Sequence, residues 1–249
     1  MTEDLLPLIE ETYEDAVAPE GLLANDGIRE LRLTEAEDLT VDAVNVLAEA
    51  MVSTTCLGRL ELVCYEEIPD EHTFVVLGEG LKRNASLEKF ELVAEGFGND
   101  DSLPEILRTL QNHPNLLSLT LEKINISEQV MEVLRGWRNC KDCRLQELKI
   151  GETSHLPAFG ASRGKAVENR SLKRLELNSV DLSSNDLEGL RNSFPNLRVL
   201  ELPHNRICYL SPLESILCNE DSEVQELDLR RNQSYQLRFN HEDFYEDKS

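Results

Sequence analysis

One short pattern limits the folds open to this chain more than any other feature. It reads apolar, two variable, apolar, one variable, apolar, and it recurs eight times in 249 residues. The copies begin at Ile28 (with Leu31, Leu33), Leu57 (Leu60, Leu62), Leu87 (Phe90, Leu92) and Leu116 (Leu119, Leu121). Four more begin at Leu145 (Leu148, Ile150), Leu172 (Leu175, Leu177), Leu197 (Leu200, Leu202) and Val224 (Leu227, Leu229). Successive starts lie 29, 30, 29, 29, 27, 25 and 27 residues apart. A period of this size is the mark of a stacked-repeat architecture, in which no single unit can bury its own apolar side.

Each unit can be read further. The last two apolar residues of every copy are two apart, so both point to one side of a short strand. Between the strands run stripes with helical spacing. They are Val41, Val44, Leu47, Ala48, Met51; Phe74, Leu77, Leu81; Leu103, Ile106, Leu107, Leu110; Val130, Val133, Leu134; and, more weakly, Leu187 and Leu190. Thr40, Ser102, Ser127 and Ser184 precede these stripes as candidate N-caps, with Glu105 three residues after Ser102. Strands need about 4.8 Å of width each and helices about 10 Å. The expected fold is therefore an α/β solenoid of about eight repeats, with a parallel sheet on the concave side and helices on the convex side.

The eight triplets resemble the leucine-rich-repeat family, and in particular its ribonuclease-inhibitor-like class with units of 28 to 29 residues. Asn205 with Ile207, and Asn232, match that family's buried Asn after the strand. The turns Asn84-Ala85-Ser86-Leu87 and Asn169-Arg170-Ser171-Leu172 are similar to family turns. The resemblance covers residues 26–235 and implies a module that holds protein partners on its concave sheet. The chain departs from the pattern where Ala36, Tyr65, Glu95, Ile124, Thr153 and Val180 fill the Asn position. An irregular post-strand ladder is expected there. Residues 151–167, with Pro157, Gly160 and Gly164, suggest a distorted unit. Beyond Leu172 the shorter period predicts shorter helices.

The flanks divide off as an acidic amino-terminal segment, residues 1–25, and a carboxy-terminal tail, residues 236–249. Leu5, Leu6, Leu8 and Ile9 suggest a short capping helix. Tyr235, Leu237, Phe239, Phe244 and Tyr245 suggest either a cap on the last layer or a surface for further protein.

Charge narrows the partners. Forty-eight acidic residues face 25 basic ones, a net charge of −23, which disfavours nucleic acid and anionic membranes and suits either solubility alone or encounter with a protein that has a basic surface. No stretch is long and apolar enough to span a bilayer, and residues 1–25 carry seven carboxylates with no Lys or Arg, unlike a signal peptide. The six cysteines follow no disulfide spacing. An intracellular, cytoplasmic setting is expected, with the nucleus left open, and a chain that is monomeric on its own.

Alternation along the strands names the concave residues. The central column reads Arg32, Glu61, Glu91, Thr120, Lys149, Glu176, Glu201, Asp228. The column before it reads Glu30, Arg59, Lys89, Ser118, Glu147, Arg174, Val199, Glu226, and the column after it Thr34, Val63, Val93, Glu122, Gly151, Asn178, Pro203, Arg230. The candidate partner-binding residues are Glu61, Glu91, Glu122, Glu176, Glu201, Glu226 and Asp228. The competing expectation is a self-neutralised ladder of pairs two apart on one strand: Arg59 with Glu61, Lys89 with Glu91, Arg174 with Glu176, Glu147 with Lys149. Exposed pairs of this kind contribute only about 0–1 kcal/mol each. Glu201 and Asp228 are expected to lack such a cation, which marks the carboxy-terminal rim for basic side chains.

No chemistry-bearing constellation emerges. Cys140 and Cys143 have two-residue spacing but no second ligand pair. The five histidines are scattered, no phosphate-binding glycine loop occurs, and no carboxylate pair has an evident pocket. The expectation is a binding protein with no cofactor, no metal and no catalytic residue. A GTPase-activating regulator, a ubiquitin-ligase substrate-recognition component, or the sensor part of a larger immune-type receptor are the alternatives. Trp137, expected in a loop after a helix, is either packed on its neighbouring layer or an interface anchor.

Overall fold

A computed structural model describes residues 28–33, 41–64, 71–95, 102–138, 143–153, 156, 169–190, 194–217 and 222–232. The expectations for residues 1–25, for residues 236–249, for Cys140 and for most of 151–167 lie outside them. Among the described residues, eight strands pair in strict chain order into one parallel sheet. They are β1 Glu30–Leu33, β2 Arg59–Cys64, β3 Lys89–Ala94, β4 Ser118–Glu122, β5 Glu147–Gly151, β6 Arg174–Asn178, β7 Val199–Glu201 and β8 Glu226–Asp228. Between them run α1 Val41–Ser53, α2 Glu71–Arg83, α3 Ser102–Gln111, α4 Glu128–Arg138, a 3-10 segment Ser184–Leu190, and α5 Ser211–Leu217. Parallel strands joined through helices on one face give the repeat solenoid that the period demands.

The core is one continuous spine. Leu60, Phe90, Leu119, Leu148, Leu175 and Leu200 stack in register from β2 to β7, with Leu62, Leu92, Leu121, Ile150 and Leu177 beside them. The helical stripes close it from the other side through Met51, Leu77, Leu107 and Leu134. Helices shorten toward the carboxy end as expected, from 13 residues in α1 and α2 to seven in α5. The Leu187 and Leu190 stripe is 3-10 rather than α. A 25-residue repeat has fewer residues for the return path, and a 3-10 rise of about 2.0 Å per residue covers more length than about 1.5 Å in an α-helix.

Two polar ladders tie the layers together. Before the strands, Asn84 Nδ2 donates to Met51 O at 2.8 Å while its Oδ1 accepts from Ser86 N and Leu87 N at 2.9 and 2.8 Å. Asn169 repeats this with Trp137 O, Ser171 N and Leu172 N. Ser86 and Ser171 hydroxyls donate to Leu57 O and Leu145 O of the preceding layers. After the strands, Asn205 Nδ2 donates to Leu177 O and its Oδ1 accepts from Val180 N and Leu182 N, and Asn232 acts likewise toward Leu202 and Ile207. The Asn ladder after the strands is thus a property of the last layers. Upstream, buried Ile124 and Val180 fill that position with apolar bulk.

A backbone device accompanies it. A left-handed residue follows each strand from β4 onward: Lys123, Glu152 and Ser179 immediately after β4, β5 and β6, and His204 and Arg231 three residues after β7 and β8, with φ of 59, 52, 53, 57 and 57°. The N–H groups of the first four donate to Gly151, Asn178, Pro203 and Arg230 carbonyls of the next layer at 2.9 to 3.2 Å. β2 and β3 instead extend to six residues.

Two local expectations are corrected. Ser184 does not cap the segment it begins: its Oγ accepts from Cys208 N and Tyr209 N of the next layer, both at 3.0 Å, and Asp186 accepts from Ser183 N instead. Trp137 lies within the last turn of α4, not in a loop, and at 3% exposure it is part of the core. Ser127 does cap α4, its Oγ accepting from Val130 N at 3.3 Å.

Candidate partner-binding face

Strand pairing puts the central column in perfect register. Arg32, Glu61, Glu91, Thr120, Lys149, Glu176, Glu201 and Asp228 are consecutive partners across all eight strands. Glu30, Arg59, Lys89, Ser118, Glu147, Arg174, Val199 and Glu226 form the parallel column beside them. The alternation that buries the leucines leaves both columns on the opposite, inner side of the sheet. In the third column Val63 and Val93 are buried, so they do not line the face.

The charges on this face are paired, but mostly across strands. Arg59 Nη2 meets Glu61 at 3.2 Å on its own strand and Glu91 at 3.3 Å on the next, while Arg32 Nε meets Glu61 at 3.2 Å. Lys149 Nζ lies 2.8 Å from Glu122 and 3.6 Å from Glu176. Arg174 Nη2 reaches Glu201 at 2.6 Å. Of the four pairs expected within strands, only Arg59 with Glu61 forms. Lys149 and Arg174 turn to neighbouring strands because those lie about 4.8 Å away, closer than the roughly 6.6 Å between residues two apart on one strand.

The expected lack of cations at the carboxy-terminal rim is also corrected. Glu201 has Arg174 from the adjacent strand, and Asp228 is held by Arg230, whose Nη2 and Nε donate to it at 2.7 and 2.9 Å. Glu226 is the candidate with no ionic partner among the described residues. Sequence spacing missed Arg174 because the pairing requires the register of two strands.

The electrostatics of the rim are uneven. Burial raises the Glu201 carboxyl above its ordinary range; Arg174 opposes this, and the carboxylates of Glu176 and Asp228 on either side reinforce it. The Arg230 hydrogen bonds hold Asp228 below its ordinary range. Lys149 is raised: burial works against it, and the hydrogen bond and charge of Glu122 together with those of Glu176 prevail.

The halves of the face differ in net charge. On β1 to β3, Glu30, Glu61 and Glu91 are matched by Arg32, Arg59 and Lys89. From β4 to the residues after β8, Glu122, Glu147, Glu176, Glu201, Glu226 and Asp228 face only Lys149, Arg174 and Arg230. Uncharged Ser118 and Thr120 separate the two. Among the described residues, no group of His, Cys, Asp or Glu is arranged to hold a metal ion, and no helix is long and apolar enough to cross a membrane.

No protein-family model matches the sequence. No curated protein matches it either. Solved structures do. A complex of Rad7 and Elc1 from yeast aligns with a TM-score of 0.56 at 14% identity, over 86% of this chain and 60% of that one. Leiomodin-1 actin-binding site 2 aligns with a TM-score of 0.43 at 16% identity, and the tropomodulin C-terminal domain of Caenorhabditis elegans with 0.44 at 13%. Each of these two covers 53% of this chain, and the matches span 76% and 82% of those proteins. The likeness that extends over most of the chain is one of fold, and that fold is the leucine-rich-repeat solenoid.

Proposed function

We propose that this chain is a protein-interaction module, without catalytic activity, that receives a basic protein surface on the carboxy-terminal half of its concave sheet. The observation that supports the reading is the uncompensated charge there: six carboxylates against three cations on one continuous face, beside a balanced amino-terminal half. Glu176, Glu201 and Asp228 sit on adjacent strands about 4.8 Å apart; burial raises the Glu201 carboxyl above its ordinary range, and repulsion from Glu176 and Asp228 adds to it. A guanidinium or ammonium group of a partner would relieve that repulsion. Glu61, Glu91 and Glu122, each already paired, act as a supporting rim. Repeats of 29 and 30 residues in the first half, with α-helices on the outer face, favour the ribonuclease-inhibitor-like class. The test is comparative capture from lysate on immobilised wild type and on Glu201→Lys/Glu226→Lys/Asp228→Lys. A partner retained by wild type, released as salt rises and lost from the variant supports the reading; after purification, its association rate should fall about tenfold or more on the variant. Identical capture by both proteins at every salt concentration would sink it.

A further inference from the structure

Two rungs of the ladder that precedes the strands are written in a tripeptide with a chemistry of its own. Asn84-Ala85-Ser86 and Asn169-Arg170-Ser171 are both Asn-x-Ser, the acceptor sequence for N-linked oligosaccharide. The fold accounts for the spacing. Asn84 Oδ1 accepts from Ser86 N and Leu87 N, and Ser86 Oγ donates at 2.9 Å to Leu57 O of the layer before. Asn169 and Ser171 repeat this, with Ser171 Oγ 2.8 Å from Leu145 O. A rung that needs Asn and Ser two apart is an acceptor sequence wherever it occurs. The rungs at Asn115 and Asn196, whose Nδ2 atoms donate to Ala85 O and Arg170 O at 2.6 and 2.8 Å, have Leu117 and Arg198 two residues on and form no acceptor.

Acceptor and rung claim the same atom. Transfer from a lipid-linked oligosaccharide diphosphate breaks the bond between the sugar C1 and a phosphate oxygen. It joins C1 to the Asn Nδ2, and one Nδ2 proton leaves with the lipid diphosphate. In the folded chain the Asn84 Nδ2 lies 2.8 Å from Met51 O, and the Asn169 Nδ2 lies 2.9 Å from Trp137 O. Both asparagines are 2% exposed. Asn84 is enclosed from the other side as well, since its own carbonyl meets His113 Nε2 of the next layer at 2.7 Å. A sugar ring on either nitrogen needs the space that the end of α1 or α4 fills, and an interior packed at crystal density makes that room only by parting the layers.

We infer that Asn84 and Asn169 are modification sites at which a glycan and the native fold exclude each other, so that the solenoid forms only where N-linked transfer does not reach the nascent chain. The basic partner of the concave face then shares a compartment free of that transfer. That consequence rests on the proposed function; the exclusion itself does not.

Directing the full chain into the secretory pathway of cultured cells with an added signal peptide reads the exclusion. Asn125→Gln and Ser234→Ala, present throughout, remove the acceptor sequences at Asn125 and Asn232. Mass spectrometry is expected to find sugar on Asn84 and Asn169, and the chain is expected to be retained in the cell. Ser86→Ala/Ser171→Ala keeps both asparagines and their bonds to Met51 and Trp137 but abolishes the acceptors. It should raise secretion of folded chain by about fivefold or more. The parent chain made with oligosaccharide transfer inhibited should be secreted equally well, which keeps the test sharp if the missing hydroxyls weaken the fold. Folded, secreted chain carrying sugar on Asn84 or Asn169 would overturn the proposal, as would secretion that neither the double variant nor the inhibitor raises. No partner enters the measurement, so its failure leaves the concave-face reading standing, and the reverse also holds.

Discussion

His113 occupies the position at which two other repeats carry Asn84 and Asn169, three residues before the first leucine of the strand pattern. It performs the same bridging with different atoms. Its Nε2 donates to Asn84 O of the preceding layer at 2.7 Å, and its Nδ1 accepts from Asn115 N at 3.3 Å. Making the two bonds together requires the neutral ring, because Nδ1 accepts only when unprotonated, whereas the Nε2 bond alone would survive protonation. Burial lowers the His113 pKa from its ordinary 6.5, and the bond to the Asn84 carbonyl only partly opposes this. The sign follows: below about 6.5 the unfolded chain takes up a proton that the folded chain refuses, so this residue's contribution to stability is whole above that pH and is lost as pH falls beneath it. His113→Asn, which copies the residue used in the other repeats, should keep the bridge and remove the titration. Urea midpoints between pH 7.5 and 5.5 should fall less for the variant than for wild type; parallel curves would show that His113 does not carry the effect. The left-handed residues after β4 to β8 illustrate how little of this scale is legible in sequence. None of Lys123, Glu152, Ser179, His204 and Arg231 is a glycine, so no composition signal announces the turn they share.

Helix packing supplies a sharper test at the level of the element. Gly78 and Gly80 lie two residues apart in α2, and a reading of helix propensity alone would treat them alike. Their surroundings differ. A Cβ at Gly80 would come within 2.8 Å of Ala48 Cα and 2.9 Å of Ala48 Cβ on α1, whereas at Gly78 the nearest atom would be Ile106 Cγ1 at an ordinary 3.8 Å. Gly80 is the point at which adjacent helices approach backbone to backbone. Gly78→Ala should stabilise by about 0.5–1 kcal/mol through helix propensity. Gly80→Ala should destabilise by about 1–2 kcal/mol, since overpacking at backbone outweighs the same gain. Chemical denaturation of the two variants distinguishes them by sign, and equal shifts would show that α1 and α2 part without cost. The short elements follow the same logic of fit. The repeat that starts at Leu172 is 25 residues long and returns through a 3-10 segment, because its shortened path leaves no room for the ten to thirteen residues of α1 to α4.

At the scale of the whole molecule, the stack makes position along the solenoid matter more than residue type. Leu148 and Leu227 occupy equivalent places in β5 and β8, yet Leu148 is 4% exposed and Leu227 37%. Each layer is covered by the next, and Leu227 has no described layer after it. Leu148→Ala should therefore cost about 2–5 kcal/mol, and Leu227→Ala less than half as much; equal losses in thermal or urea unfolding would mean that the last layer is as well covered as the middle. Charge obeys a similar positional rule. Glu61→Lys on the balanced amino-terminal half breaks the pairs with Arg32 and Arg59 but leaves the surplus of the carboxy-terminal half intact. It should alter the association rate of a basic partner by less than about threefold, against about tenfold for the rim variant. A larger effect at Glu61 than at the rim would move the binding surface toward β1.

The apolar period by itself determined the number of layers, the strand positions, the parallel order and the residues of two of the three expected inner columns; the third failed at Val63 and Val93, which are buried. It could do so because burying a leucine every second strand residue and every third or fourth helix residue leaves one arrangement that shares a core. What only the tertiary structure decided is which charges meet. Arg174 finds Glu201, and Lys149 bridges Glu122 and Glu176. Long side chains choose among neighbours a few ångströms apart on different strands, and that choice depends on strand register, twist and burial, none of which a linear pattern of residues contains.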